Sequence, residues 1–224
     1  MFGALGFLKT CATLSAMALF TSGMDTIRII KANQSCGSFS SFPFASTCLN
    51  CLIWTLYGIL LKSYVPLVVT NLYGSVFSAF CLWSYSQYAN LEQRSAVKKQ
   101  VAVIVAVFVA AVAFCAAVHQ ENEVQSAAVF YVGLLGCTLC IIMFGSPLST
   151  IAEVIRTKNS ESMPFFLCCL SASTSFLWAC FGMSIEDAFV YVPNIVGAVL
   201  SSVQLVLLFM YPSDAKATLP HHAH

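Results

Sequence analysis

Asn71 and Asn194 are amides set inside apolar runs, in Asn71-Leu-Tyr-Gly74-Ser-Val-Phe-Ser78 and Asn194-Ile-Val-Gly197-Ala-Val-Leu-Ser201. An amide left unsatisfied in hydrocarbon costs on the order of several kcal/mol. One such residue would serve as packing glue between helices, worth about 1 kcal/mol or less. Two in matching contexts point instead to a binding pair facing each other across an axis. An amide both donates and accepts, so the chemistry is reversible hydrogen bonding to the hydroxyls of a neutral, polyol-like ligand. Trp54 and Trp178 accompany them, in Trp54-Thr-Leu-Tyr57-Gly58 and Trp178-Ala-Cys-Phe181-Gly182. Two readings stand side by side: an interfacial aromatic belt, or plates that stack on the C–H face of a ring-shaped ligand.

Bond-breaking chemistry finds no support. The carboxylates Asp25, Glu153, Glu186 and Asp187 fall near the ends of apolar runs, and Asp25 stands three residues before Arg28, as a local helical ion pair would. Carriers coupled to protons usually keep a buried carboxylate along their path; its absence here argues for passive movement. Cys48-Leu-Asn-Cys51 and Cys137-Thr-Leu-Cys140 match C-x-x-C, but inside apolar helices without histidine support they read as packing thiols. No metal, cofactor or nucleic-acid partner is expected.

The elements that carry these residues are membrane helices. Hydrophobic residues make up 59% of the 224 and charged ones 8%, about a third of the charge of a soluble domain; the mean hydropathy is +0.84. A helix needs about 20 apolar residues to cross the hydrocarbon. Breaks at charges, proline and glycine place seven spans near 5–27, 42–61, 65–87, 101–119, 126–150, 164–184 and 188–210. The first span resembles a signal peptide, but the repeat below makes it a retained helix. Arg28 and Lys31, then Arg94, Lys98 and Lys99, then Arg156 and Lys158 follow spans one, three and five, with Lys216 in the tail. Short basic loops stay in the cytosol, so the amino terminus is expected outside or in a lumen and the carboxyl terminus in the cytosol. On this orientation the sequon Asn33-Gln34-Ser35 carries no glycan.

The spans repeat. The asparagine motifs match as N-x-x-G-x-V-Φ-S in spans three and seven, Phe42-Pro43-Phe44 matches Met163-Pro164-Phe165, and Lys31-x-x-x-Ser35 matches Arg156-x-x-x-Ser160. Three helices is an odd number, so two triplets share a direction only if one further helix joins them. The span at 101–119, nearly all Val, Ala and Phe, suits that linker. The expected architecture is an all-α integral membrane protein, 3+1+3, with a first triplet over 1–87, a linker over 88–125, a second triplet over 126–212 and a short tail over 213–224. In transporters built this way the ligand site lies near midplane between the repeats, and the repeats rock about it. Pro43, Pro147, Pro164 and Pro193 start or interrupt spans. Those near the cytosolic ends are candidate hinges, a static kink being the alternative.

Several strings then resemble one family: Leu49-Asn50-Cys51 with Tyr57-Gly58, Ser146-Pro147-Leu148-Ser149, Arg156-Thr157-Lys158 with Ser160, Met163-Pro164-Phe165-Phe166, and Asp187 followed by Val192-Pro193-Asn194. The chain resembles the SWEET (MtN3/saliva) sugar transporters over essentially its full length. That resemblance implies energy-independent, bidirectional movement of mono- or disaccharides. It implies sugar contacts at Asn71, Asn194 and Trp178, a pocket-facing Trp54, an outer gate of Tyr57 and Asp187, and a cytosolic proline set of Pro43, Pro147 and Pro164. Gly23 stands where the family has its first-helix proline. Bulk at both Trp54 and Trp178 narrows the pocket, which favours a glucose-like monosaccharide over sucrose. The plasma membrane is the expected location, with the Golgi the alternative. A homo-oligomer is compatible, and need not form the path. A PQ-loop proton-coupled amino-acid exporter is the nearer rival, but no Pro-Gln dipeptide occurs. A seven-helix receptor would have larger loops, and span seven would end in N-P-x-x-Y.

Overall fold

Hydrocarbon offers no partner to a backbone amide, so apolar runs must satisfy their own hydrogen bonds as helices. A computed structural model of the chain describes residues 2–118 and 125–212, and the described residues are helical throughout apart from turns. The order is α1 (Phe2–Thr21), α2 (Gly23–Asn33), α3 (Phe42–Leu60), a short π-type turn (Tyr64–Val68), α4 (Val69–Tyr88), α5 (Leu91–Val118), α6 (Gln125–Met143), α7 (Gly145–Thr157), α8 (Phe165–Ser184) and α9 (Ala188–Met210). Grouped across their kinks, these form seven stretches long and apolar enough to cross a membrane. The chain is an integral membrane protein of 3+1+3 form.

The duplication shows in the backbone. Gln34 and Lys158 adopt left-handed conformations at the ends of α2 and α7, and Lys62 and Glu186 do so in the α3–α4 and α8–α9 turns; the members of each pair stand 124 positions apart. Paired glycines explain why the hairpins pack alike. A Cβ on Gly58 would lie 2.9 Å from Leu67 Cβ, and one on Gly182 only 2.6 Å from the Tyr191 nitrogen. Gly74 of the first asparagine motif likewise faces Cys51 Sγ at 2.6 Å, and Gly197 of the second faces Ser175 Oγ at 2.9 Å. At such distances a side chain would force its neighbours to shift, most severely at Gly182, which faces backbone, so these glycines help the helices of each triplet close. Between triplets, α1 packs on α8 and α6 on α3, so each opening helix leans on the middle helix of the other repeat. The joining helix α5 packs on α3, α4 and α6 through a stripe of Val97, Ile104 and Ala111 at heptad spacing.

Three spans differ from the hydropathy reading. The first runs on to Asn33 and is interrupted at Ser22, and the fifth runs from 125 to 157 and is interrupted at Phe144. Pro147 accounts for the second break, because it leaves the Met143 carbonyl without its usual donor. The first break occurs with no proline, at a Ser-Gly pair, where Ser22 Oγ donates back to the Leu19 carbonyl at 2.7 Å. The fourth helix begins at Leu91 rather than near 101. Its start is a capping box: Gln93 N–H donates to Asn90 Oδ1 at 2.8 Å and Asn90 N–H to Gln93 Oε1 at 3.0 Å. Charged residues carry this helix beyond the apolar segment that hydropathy detects. Arg28 pairs with Asp25 at 2.9 Å, fully in keeping with the local pairing expected. His119, Glu121, Glu123 and the tail from 213 lie outside the described residues.

Candidate functional site

The middle of the bundle holds a cavity of about 170 Å³ bounded by both repeats. From the first repeat come Asn50 and Trp54 on α3 and Thr70 and Asn71 on α4; from the second come Cys140 on α6, Thr174 and Trp178 on α8 and Asn194 on α9. All four ligand-facing residues expected from the sequence therefore meet around one space. The two asparagines are held in the same way. Asn71 Nδ2 donates to the Leu67 carbonyl at 2.9 Å, and Asn194 Nδ2 donates to the Val190 carbonyl at 2.8 Å. Each amide thus spends one N–H on the turn below it. No hydrogen bond within the protein takes up either Oδ1 among the described residues, leaving two acceptors for a ligand's hydroxyls.

The tryptophans are not a belt: each is only 7% exposed and faces the cavity. Trp178 Nε1 donates to the Ala12 carbonyl of α1 at 3.0 Å, and Trp54 Nε1 donates to Asn50 Oδ1, one turn earlier on α3, at 3.2 Å. With their N–H groups committed, the indoles present only ring carbons to the cavity. Asn50 also accepts from Cys140 Sγ at 3.5 Å. Thr70 and Thr174 place buried hydroxyl oxygens here with no hydrogen-bond partner, whereas Thr55 and Thr138 donate to the carbonyl four residues back. Sequence reasoning passed over Asn50, Thr70, Cys140 and Thr174 as site residues. The one usable signal was Asn50, a third amide inside an apolar span and one turn from Trp54.

Above the cavity, at the end opposite the basic loops, the bundle is closed. Tyr57 OH donates to Asp187 Oδ2 at 2.8 Å across the two repeats. The other carboxylate oxygen accepts the Phe189 and Val190 N–H groups at 3.0 and 3.3 Å, which caps α9 and fixes the acceptor. Trp54 and Phe189 meet the Tyr57 ring edge-on at 5.3 and 6.2 Å. Gly133 lies against this cluster, where a Cβ would come within 2.9 Å of both Phe189 and Tyr57.

At the basic end the bundle is open. A vestibule of about 520 Å³ is lined by Pro43, Pro147 and Pro164 together with Ser146, Thr150 and Gln204. The three prolines stand at or within the first turn of α3, α7 and α8, where a missing N–H is tolerated. Pro193 lies in the interior of a helix, buried in α9. Among the described residues no carboxylate lines either space, and no three histidine, cysteine or acidic side chains converge as a metal site.

A bundle of two parallel repeats around a shared polar cavity, closed at one end and open at the other, has the architecture of an alternating-access carrier. Comparison with known proteins narrows the class. The family model described as "Sugar efflux transporter for intercellular exchange" matches residues 6–93 and 130–216, one match per repeat. A Dictyostelium discoideum protein named "Sugar transporter SWEET1" is 32% identical over 92% of this chain and 93% of its own. The Sorghum bicolor "Bidirectional sugar transporter SWEET2a" is 36% identical over 92% of this chain and 84% of its own. A solved eukaryotic SWEET transporter superposes with a TM-score of 0.81 at 28% identity, covering 92% of this chain and 96% of that one. The chain belongs to the SWEET (MtN3/saliva) family.

Proposed function

We propose that the protein moves a glucose-like monosaccharide across the membrane as a passive, bidirectional uniporter working by alternating access. The single observation that carries this reading is the pair Asn71 and Asn194, anchored alike to Leu67 and Val190 and offering free acceptors to one cavity. Sugar hydroxyls suit such acceptors, and the faces of Trp54 and Trp178 suit the C–H face of a pyranose. The names of the relatives support a sugar as cargo. Passive movement is favoured because no carboxylate faces the cavity among the described residues; Asp187 is engaged by Tyr57 and by the start of α9. The bulk of two indoles around about 170 Å³ supports a monosaccharide over sucrose.

Tyr57 and Asp187 act as the outer gate, and Pro43, Pro147 and Pro164 let the opposite ends of α3, α7 and α8 swing. With the gate bonded and the vestibule open, this conformation faces the cytosol. The basic loops after the first, third and fifth spans orient it, with the amino terminus extracellular or lumenal. The plasma membrane is the proposed location. The triplets over 1–87 and 126–212 are the moving bodies and 88–125 their link.

The test is a sugar-sensor flux assay in cells lacking hexose carriers, with surface expression measured for each variant. Wild type is expected to move glucose in both directions, and Asn194→Ala and Trp178→Ala to lose most of that flux at normal surface level. Normal transport by both variants would overturn the site. Dependence on a pH gradient would favour the proton-coupled exporter instead.

A further inference from the structure

Trp54 lies flat against α6 at a residue without a side chain. A Cβ on Gly136 would stand 2.9 Å from Trp54 Cε2, 3.1 Å from Cζ2 and 3.4 Å from Cδ2, inside the 3.5–4.0 Å at which carbon atoms attract. The atoms it would meet belong to the middle of a rigid ring, so the ring would have to move as a unit. Its choices are few. Tyr57 stands edge-on at 5.3 Å and is itself held by Asp187; Asn50 tethers Nε1 at 3.2 Å. The remaining free side is the cavity.

The other tryptophan has a corresponding seat. Trp178 bonds the carbonyl of Ala12, a residue with no exposed surface. Ala12 and Gly136 are 124 positions apart, the register that relates Gln34 to Lys158 and Lys62 to Glu186. Each indole therefore meets the same position of the opening helix of the opposite repeat, Trp178 through its Nε1 bond to the Ala12 carbonyl and Trp54 through the ring carbons that face Gly136.

From this we infer that Gly136 is a specificity-determining residue: by omitting a Cβ it lets Trp54 lie back, and so sets the width of the cavity for a six-carbon pyranose. The inference rests on the sugar reading above. It assigns to α6 a part in sugar choice although Gly136 does not itself line the cavity, acting through the ring of Trp54.

The test compares D-glucose with D-xylose, the same pyranose without its hydroxymethyl arm, in wild type, Gly136→Ala, Trp54→Ala and the double variant. Steric discrimination of one carbon in a pocket is worth about tenfold or more. Gly136→Ala should lower the glucose-to-xylose flux ratio by about that factor, and should leave the ratio unchanged in the Trp54→Ala background, the mark of coupled neighbours. An unchanged ratio in Gly136→Ala, or an equal loss in the absence of Trp54, would overturn the proposal. A second arm does not depend on transport. With Trp83→Phe and Trp178→Phe, Trp54 is the sole indole, and Gly136→Ala should increase its quenching by acrylamide; unchanged quenching refutes the displaced ring. Should wild type carry neither sugar, the transport reading fails on the first arm while the second still decides the seat.

Discussion

The two repeats hold their asparagines alike and their tryptophans differently. Asn71 and Asn194 each donate to a carbonyl one turn earlier, so exchanging the repeats would leave that part of the cavity unchanged. Trp54 is tied within its own helix, through Asn50, whereas Trp178 is tied to the backbone of α1 in the other repeat. The difference separates two tasks. On the proposed reading, the paired amides give both access states one binding point that survives the rocking of one repeat against the other. The unequal indoles give the cavity one wall hydrogen-bonded across the repeat boundary and one wall tied within its own helix and packed on Gly136.

The largest expected effect tests the symmetric part. A hydrogen bond contributes about 0.5–1.5 kcal/mol net, and each asparagine offers an acceptor and a further donor, so Asn71→Ala and Asn194→Ala should each reduce glucose flux by roughly tenfold or more. Similar losses are expected, and a loss in only one would break the equivalence of the repeats. Next comes the outer closure. A hydrogen bond to a carboxylate is worth about 1.5–3 kcal/mol, so Tyr57→Phe should raise the rate at which an impermeant thiol reagent, added outside, reaches Cys140 by about tenfold. An unchanged rate would mean that the aromatic cluster alone seals that end.

Trp178→Phe should cost more than Trp54→Phe. It removes an interhelical bond worth about 0.6–1.7 kcal/mol, which a thermal unfolding scan in detergent reads as a lower midpoint; equal shifts for the two would remove the asymmetry. The smallest effect concerns Gly23, which stands at the start of α2 where the first helix is already interrupted. Proline is tolerated at a first helical position. A Cβ there meets only the Phe44 ring, Cε1 at 3.3 Å and Cδ1 at 4.0 Å, so Gly23→Pro should leave flux within about twofold. Abolished flux would show that the first repeat uses a hinge unlike that of Pro147.

Much of this was legible in the residues. Seven spans followed from apolar length, and the duplication from N-x-x-G, whose glycine packs against Cys51 in one repeat and Ser175 in the other at under 3 Å. The asparagines stood out because an amide in hydrocarbon demands a reason. Thr70, Cys140 and Thr174 did not, since a lone polar residue on a membrane helix faces cavity or neighbour according to a rotation that no local pattern encodes; Asn50, an amide one turn from Trp54, carried a signal that went unused. The break at Ser22 lacked a proline to announce it. The extra turns at the start of α5 were hidden because hydropathy measures the membrane and not the helix; the Asn90–Gln93 capping box was the readable sign. The depth of the tryptophans was the widest gap. Both indoles read equally well as an interfacial belt until α1 and α6 were placed behind them.

The central claim is a passive carrier turning about one cavity, and counterflow in proteoliposomes tests it most directly. Vesicles containing purified protein and loaded with unlabelled glucose should accumulate labelled glucose transiently, at equal pH on both sides and without added ions. Asn194→Ala vesicles should lack the overshoot. Accumulation that appears only under an imposed proton gradient, or an overshoot unaffected by loss of Asn194, would contradict the account.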